Sequence, residues 1–135
     1  MFQKFERIKQ MYPIQFSNGV KVFNCTANDI KFLDGGVGLT VRPCGVKIKT
    51  VKTMTPYTGE QPLYGEFVTP KFEPKEGGMD SILELKAIDP DALIIGSCID
   101  AQAYRGIVAT YLPAKGRIQP DGIGKHMRVD KFEMY

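Results

Sequence analysis

Ala92-Leu93-Ile94-Ile95-Gly96-Ser97-Cys98-Ile99-Asp100-Ala101-Gln102-Ala103-Tyr104-Arg105-Gly106 is the stretch that decides how this chain folds. Its first four residues are an unbroken apolar run, the pattern of a strand buried on both faces rather than one. Gly96 ends the run. Ser97 stands directly before a segment of helical composition, where its hydroxyl is placed to accept from the open N–H groups of a first turn. Gly106 suits the position just past the helix end, since glycine tolerates the left-handed backbone found there. Ile107 to Tyr111 is the returning strand, so the stretch predicts a strand, a short helix and a strand.

Working upstream, Asn18-Gly19 is a turn dipeptide, and Val20 to Phe23 and Ile30 to Leu33 read as strands. Asp34-Gly35-Gly36 turns the chain into Leu39 to Arg42, which predicts a hairpin over Ile30 to Arg42 that Pro43-Cys44-Gly45 ends. Val46 to Val51 alternates apolar with polar residues, the pattern of a strand with one wet face. Thr53 to Pro62 and Lys71 to Asp80 have loop composition, with Leu63 to Thr69 between them as an edge strand bracketed by prolines. Ser81 to Ala87 fits a short strand and a helical turn equally, and Asp89-Pro90-Asp91 closes it. At the far ends, Phe2, Phe5 and Ile8 predict a short N-terminal helix ended by Pro13. Ala114 to Lys125 is a long basic loop, and Arg128 to Tyr135 a terminal strand or extended arm. The expected architecture is a single α+β domain over residues 1–135: a mixed, mainly antiparallel sheet with one short central helix and an N-terminal helix.

Composition narrows the function classes. A hydrophobic share of 43% in 135 residues is enough for one ordinary core, which argues against native disorder. A net charge of +3, with both signs interspersed, gives no source for the phosphate contacts of a duplex nucleic-acid binder. Cys25, Cys44 and Cys98 are odd in number and widely spaced. That pattern suits reduced, buried thiols in a cytoplasmic protein rather than a disulfide scaffold. The first residues lack a secretory pattern, and the apolar runs are too short to cross a bilayer, so neither a leader nor a membrane partner is expected.

Polar residues at strand ends make the candidate site. Asn24, Thr26 and Asn28 leave the first strand, and Arg42 ends the hairpin. Amides and hydroxyls offer donors and acceptors, and Arg a planar fork, which together grip a base, ribose and phosphate without reacting with them. The same residues also suit an Asx or Thr turn. Ser97, Gln102 and Arg105 complete the ligand-binding set, with Ser97 reading equally as a helix cap and as a seat for an anion.

Other titratable residues take plainer readings. His126, the single histidine, is expected at the surface. Asp29, Asp89, Asp91 and Asp100 are turn residues, and Cys98 follows a buried strand with no base nearby. No two cysteines or histidines show metal-ligand spacing, and neither G-x-S-x-G nor a Walker loop occurs. Accordingly no catalytic residue, metal or cofactor is assigned.

Three segments carry a family likeness: Asn24-Cys25-Thr26-Ala27-Asn28-Asp29-Ile30, Pro43-Cys44-Gly45, and Ile94-Ile95-Gly96-Ser97 through Arg105 with Leu112-Pro113. They resemble the Asn-x-Thr-Pro-His-x-Ile strand end, the Pro-Ser-Gly turn and the apolar strand with following Ser of small uncharacterised proteins encoded in bacteriophages and prophages. Ala27 and Asn28 stand where that family has Pro and His, and Cys44 where it has Ser, so chemistry carried by that histidine is missing here. The resemblance implies a phage origin and supplies no activity. Joined to the unreactive polar set, it leads to an expected function: non-catalytic binding of a small nucleotide-like ligand, sequestering a host immune signal in the host cytosol. Phe2, Phe5, Met11, Tyr12 and Phe16 are the ground for expecting a homo-oligomer. Two alternatives stand beside it. One is an enzyme cleaving a phosphodiester or glycosidic bond with His126 or Asp100 as general acid or base. The other is an accessory protein-interaction module presenting the Tyr57 to Tyr64 loop.

Overall fold

A computed structural model describes residues 12–114 and 125–135. In chain order its elements are β1 (Ile14–Gln15), β2 (Lys21–Asn24), β3 (Ile30–Asp34), β4 (Val37–Val41), β5 (Thr50–Pro56), β6 (Val68–Pro74), α1 (Gly78–Ile88), β7 (Leu93–Ile95), α2 (Cys98–Ala103), β8 (Val108–Pro113) and β9 (Met127–Met134). Seven strands form one sheet in the order β1-β2-β7-β8-β9-β3-β4, while β5 and β6 form a separate ribbon. No described helix is long and apolar enough to cross a membrane.

The unbroken apolar run of β7 reflects its place between two parallel neighbours, β2 and β8, with apolar residues packed on both faces. Successive side chains of a strand point to opposite faces, so neighbours in sequence join different cores. Phe23, Ile94 and Val108 pack with Ile82, Leu85 and Tyr104 of the helical layer. Val22, Ile95 and Ala109 pack on the other face with Phe16, Phe32 and Val41. Ser97 caps α2 as expected. Its hydroxyl accepts from Asp100 N (3.1 Å), and the Asp100 carboxylate accepts from Ser97 N in return, a reciprocal capping box. The β3–β4 hairpin turns on Gly35 and Gly36, both at positive φ (59° and 81°), the backbone that a tight two-residue hairpin turn requires.

Several expectations need correction. The main sheet is evenly mixed, with β2–β7, β7–β8 and β3–β9 parallel and β1–β2, β3–β4 and β8–β9 antiparallel. A mainly antiparallel sheet therefore does not describe it. Residues 46–49 are an extended loop, and the strand begins only at Thr50 and runs to Pro56, through residues expected to be loop. Its partner β6 likewise lies later than the predicted edge strand. The cause is exposure: nearly every ribbon residue faces water, so no buried face printed a period on the sequence. The ambiguous segment at Ser81 is helical, α1, because Ile82 and Leu85 share one buried face. Two helices are thus described where one short central helix was expected. The predicted N-terminal helix and most of the Ala114 to Lys125 loop lie outside the described residues.

Candidate functional site

The carboxyl ends of the parallel strands β2 and β7 open onto a hollow of about 340 Å³, floored by Ile30 and Ile48 and ringed by Thr26, Asn28, Lys47, Ser97 and Tyr111. Ligands of open α/β sheets settle outside the carboxyl ends of parallel strands, where the following loops diverge. Here the divergence is local in origin. After β2 the chain makes an Asx turn, after β7 it enters the capped α2, and Lys47 and Ile48 arrive from the loop beyond Gly45.

Three of the seven predicted ligand-binding residues meet in this hollow: Thr26, Asn28 and Ser97. Among the described residues the side chains of Asn28, Lys47 and Tyr111 make no hydrogen bond or ion pair. The Ser97 oxygen accepts from Asp100 N and keeps its own proton to donate. Thr26 is less available: its hydroxyl lies 2.6 Å from Asn24 Oδ1 and 2.9 Å from the Asn28 carbonyl. Asp29 and Asp100 add carboxylates to the wall. Both oxygens of Asp100 are engaged, one by Ser97 N and the other by the Thr50 hydroxyl at 2.8 Å. Asp100 therefore acts as a cap and a tether for the ribbon, which leaves it badly placed as a general acid or base.

The other four predicted residues lie elsewhere. Asn24 is buried, and its side chain is fully committed to the chain. Nδ2 donates to the carbonyls of Asn28 and Val41 (both 2.9 Å), and Oδ1 accepts from the Thr26 amide and hydroxyl. The turn reading is the correct one for Asn24. Arg42 borders a different hollow, of about 270 Å³, with Tyr12, Thr40 and Pro43. Gln102 turns back along α2, its amide donating to Cys98 Sγ at 3.3 Å. Arg105 follows the C-terminal end of α2, roughly 12 Å of helical rise beyond Ser97. The guanidinium forks expected at the site are thus absent from it, and Lys47 supplies its cation.

Lys47 and Tyr111 escaped sequence reasoning for definable reasons. Lys47 sits in an alternating run that looked like the wet face of a strand, and Tyr111 sits on a strand with no local signal of a hollow. Gly45, at φ 93°, was the available clue that the chain after Cys44 leaves strand geometry. His126 is a further correction: it is 1% exposed, with its ring stacked so close to Gly38 that a Cβ there would lie 2.7 Å from Nε2. Gly38 makes room for it. Cys98, expected to be buried, is exposed and contacts Gln102 and the Tyr135 hydroxyl (3.3 Å). Cys25 and Cys44 are buried as expected, their sulfurs 3.7 Å apart. The hydrogen bond between them, and then burial, raise the Cys25 thiol above its ordinary range, and the same bond lowers Cys44. Among the described residues no three His, Cys, Asp or Glu side chains gather into a set able to hold a metal ion.

A larger depression of about 520 Å³ lies between the β1–β2 turn and β9, but its charged groups already have partners. Asp34 accepts from Ser17, and Arg128 pairs with Asp130 at 2.8 Å. Comparison of the chain with protein-family models, with curated proteins and with solved structures finds no match.

Proposed function

We propose that the hollow at the carboxyl ends of β2 and β7 binds a small nucleotide-like ligand and holds it unchanged. The observation that carries this reading is the gathering of Asn28, Lys47, Ser97 and Tyr111, each with a donor available, around an apolar floor. A volume of about 340 Å³ falls within the ~300–1,000 Å³ range of ligand clefts, at the end that suits one mononucleotide unit. An amide and two hydroxyls suit a base edge and a ribose, and Ile30 and Ile48 suit a ring face. The hollow is lined by one ammonium, Lys47, and two carboxylates, Asp29 and Asp100, so it tolerates a ligand with one negative charge, seated at Lys47, better than one with two. A phosphodiester, which carries one charge per phosphate, fits better than a terminal phosphate monoester.

The resemblance to phage-encoded proteins completes the proposal: the ligand is a host immune signalling nucleotide, sequestered in the host cytosol by a homo-oligomer. Its test is incubation with a panel of cyclic and linear signalling nucleotides, followed by denaturation and mass analysis of what is released. Intact nucleotide, recovered in proportion to protein, is the expected result. Recovery of cleavage products would replace this reading with the enzymatic one. No retention of any nucleotide would remove it.

A further inference from the structure

Two thiols meet where the β3–β4 hairpin rejoins β2. Cys25 follows β2 and Cys44 follows β4, both are reduced, and their sulfurs lie 3.7 Å apart. The backbone holds them there. Cys44 N donates to Asn24 O and Cys25 N to Ile95 O, both at 2.8 Å, so the two segments run as close as neighbouring strands, ~4.7–4.9 Å. That spacing falls inside the roughly 4.4–6.8 Å between Cα atoms that a disulfide requires. Only the sulfurs have to approach, by about 1.7 Å, to reach the S–S bond length of ~2.05 Å. Each residue also borders an opening: Cys25 the hollow of about 340 Å³, and Cys44 the one of about 270 Å³ beside Arg42. A molecule as small as hydrogen peroxide fits either one.

We infer that Cys25 and Cys44 form a dithiol that hydrogen peroxide converts to a reversible disulfide, and that this closure shifts the segment carrying Lys47. The inference does not rest on what the hollow binds. In the first step the Cys44 thiolate attacks one peroxide oxygen, the O–O bond breaks, and the hydroxide released takes up the thiol's proton as water, leaving a sulfenic acid on Cys44. The Cys25 sulfur then attacks the Cys44 sulfur and the S–O bond breaks. Hydroxide leaves with the Cys25 proton as a second water, so two electrons have passed from the thiols to the peroxide. Cys44 goes first because the hydrogen bond from Cys25 draws its thiol below the ordinary value. With the second sulfur already in place, capture of the sulfenic acid is intramolecular and outruns further oxidation.

The link to Lys47 follows from how its segment is fastened. One end is Cys44, held by its N–H on Asn24 O. The other is Lys49, whose carbonyl accepts from the Tyr104 hydroxyl and from Lys75 N. Between these two fastenings the chain bends at Gly45 and carries Lys47 and Ile48 to the wall of the hollow. Drawing Cys44 toward Cys25 moves the near fastening while the far one stays, so the residues between must adjust. Thr26, on the same wall, adjoins the other sulfur-bearing residue.

Exposure alone would make Cys98 the target of an oxidant, which gives the test its contrast. The full chain, reduced and freed of reductant, is treated with equimolar hydrogen peroxide, alkylated and digested for mass mapping, as wild type and as Cys98→Ser. Both are expected to yield a linked Cys25–Cys44 peptide lacking two hydrogens, and dithiothreitol should restore the two thiols. Amide hydrogen exchange of the intact protein over residues 45–48 should then differ at least about twofold between the reduced and oxidised forms. Oxidation of Cys98 alone, or of Cys25 and Cys44 to sulfinic acids with no link between them, would overturn the disulfide. A linked protein whose exchange over 45–48 matches the reduced form would overturn the coupling to Lys47.

Discussion

At the scale of single residues, Asn24 shows how a side chain chosen for recognition chemistry serves the backbone instead. It lies between β2 and the turn, and every donor and acceptor it owns closes a gap in the chain, including the Val41 carbonyl seventeen residues away. Removing it strands buried polar groups at a cost of about 1–3 kcal/mol each. Asn24→Ala is therefore expected to destabilise the protein by roughly 3 kcal/mol, read as a lower urea midpoint with an unchanged slope. A loss under about 0.5 kcal/mol would contradict the role given to it. Ser97→Ala should cost about 1 kcal/mol from the lost cap and, separately, weaken nucleotide retention. The Ser97 cap was readable because its partner Asp100 is three residues away. The commitment of Asn24 to Val41 was not, because that distance is set by the fold.

Charge at the residue scale makes a pH prediction. Lys21 and Asp89 lie 2.7 Å apart, tying the start of β2 to the turn before β7. The hydrogen bond from Lys21 holds the Asp89 carboxyl below its ordinary value, and the same bond raises Lys21 above its own. A depressed carboxyl stabilises the fold above its unfolded value and ceases to do so as pH falls through the folded one. Asp89→Asn should therefore lower Tm slightly at neutral pH, as a solvent-screened pair does. Its deficit against the wild type should begin to shrink below the ordinary carboxylate value of about 3.9 and close only once the pH is below the depressed value of Asp89 in the folded protein. A deficit that persisted there would show that Asp89 acts through its turn and not its charge.

At the scale of elements, local signals were enough wherever a turn residue or a buried face marked the chain. The Gly35-Gly36 hairpin, the apolar β7 and the β7–α2–β8 unit were all legible for that reason. The ribbon was displaced: strands are expected over Val46 to Val51 and Leu63 to Thr69, while the proline-bearing residues that pair in it, exposed on both sides, read as loop. Prolines are tolerated in it because each strand of a two-stranded ribbon is an edge. Helix α1 hid behind a start that only packing explains: Gly78 is buried, and a Cβ there would come within 1.8 Å of the Tyr104 hydroxyl, which donates to the Lys49 carbonyl. Gly78→Ala should thus cost about 1–3 kcal/mol through overpacking, although alanine favours a helix over glycine by about 1 kcal/mol. A stabilised variant in thermal melts would show that the Tyr104–Lys49 contact yields freely.

At the scale of the whole molecule, pairing order was beyond the sequence. Periodicity tells which side of a strand is buried and nothing about its neighbour, so β9 lying between β8 and β3 could not be foreseen. The site suffered in the same way. Thr26, Asn28 and Ser97 converge because β2 and β7 are parallel neighbours ending together, whereas Lys47 and Tyr111 reach the hollow from segments with no motif. What the fold assembles is a half-apolar hollow whose one cation, Lys47, stands with the carboxylates of Asp29 and Asp100.

The most direct measurement is isothermal titration of a cyclic-phosphodiester nucleotide into the wild type and into Lys47→Ala, whose exposed side chain makes no contact that folding needs. Saturable binding that weakens at least tenfold in Lys47→Ala, about 1.4 kcal/mol, with Tm unchanged in the absence of ligand, is the predicted result. Equal affinity in the two proteins, or no heat with any nucleotide of the panel, would contradict the assignment of this hollow as the binding site.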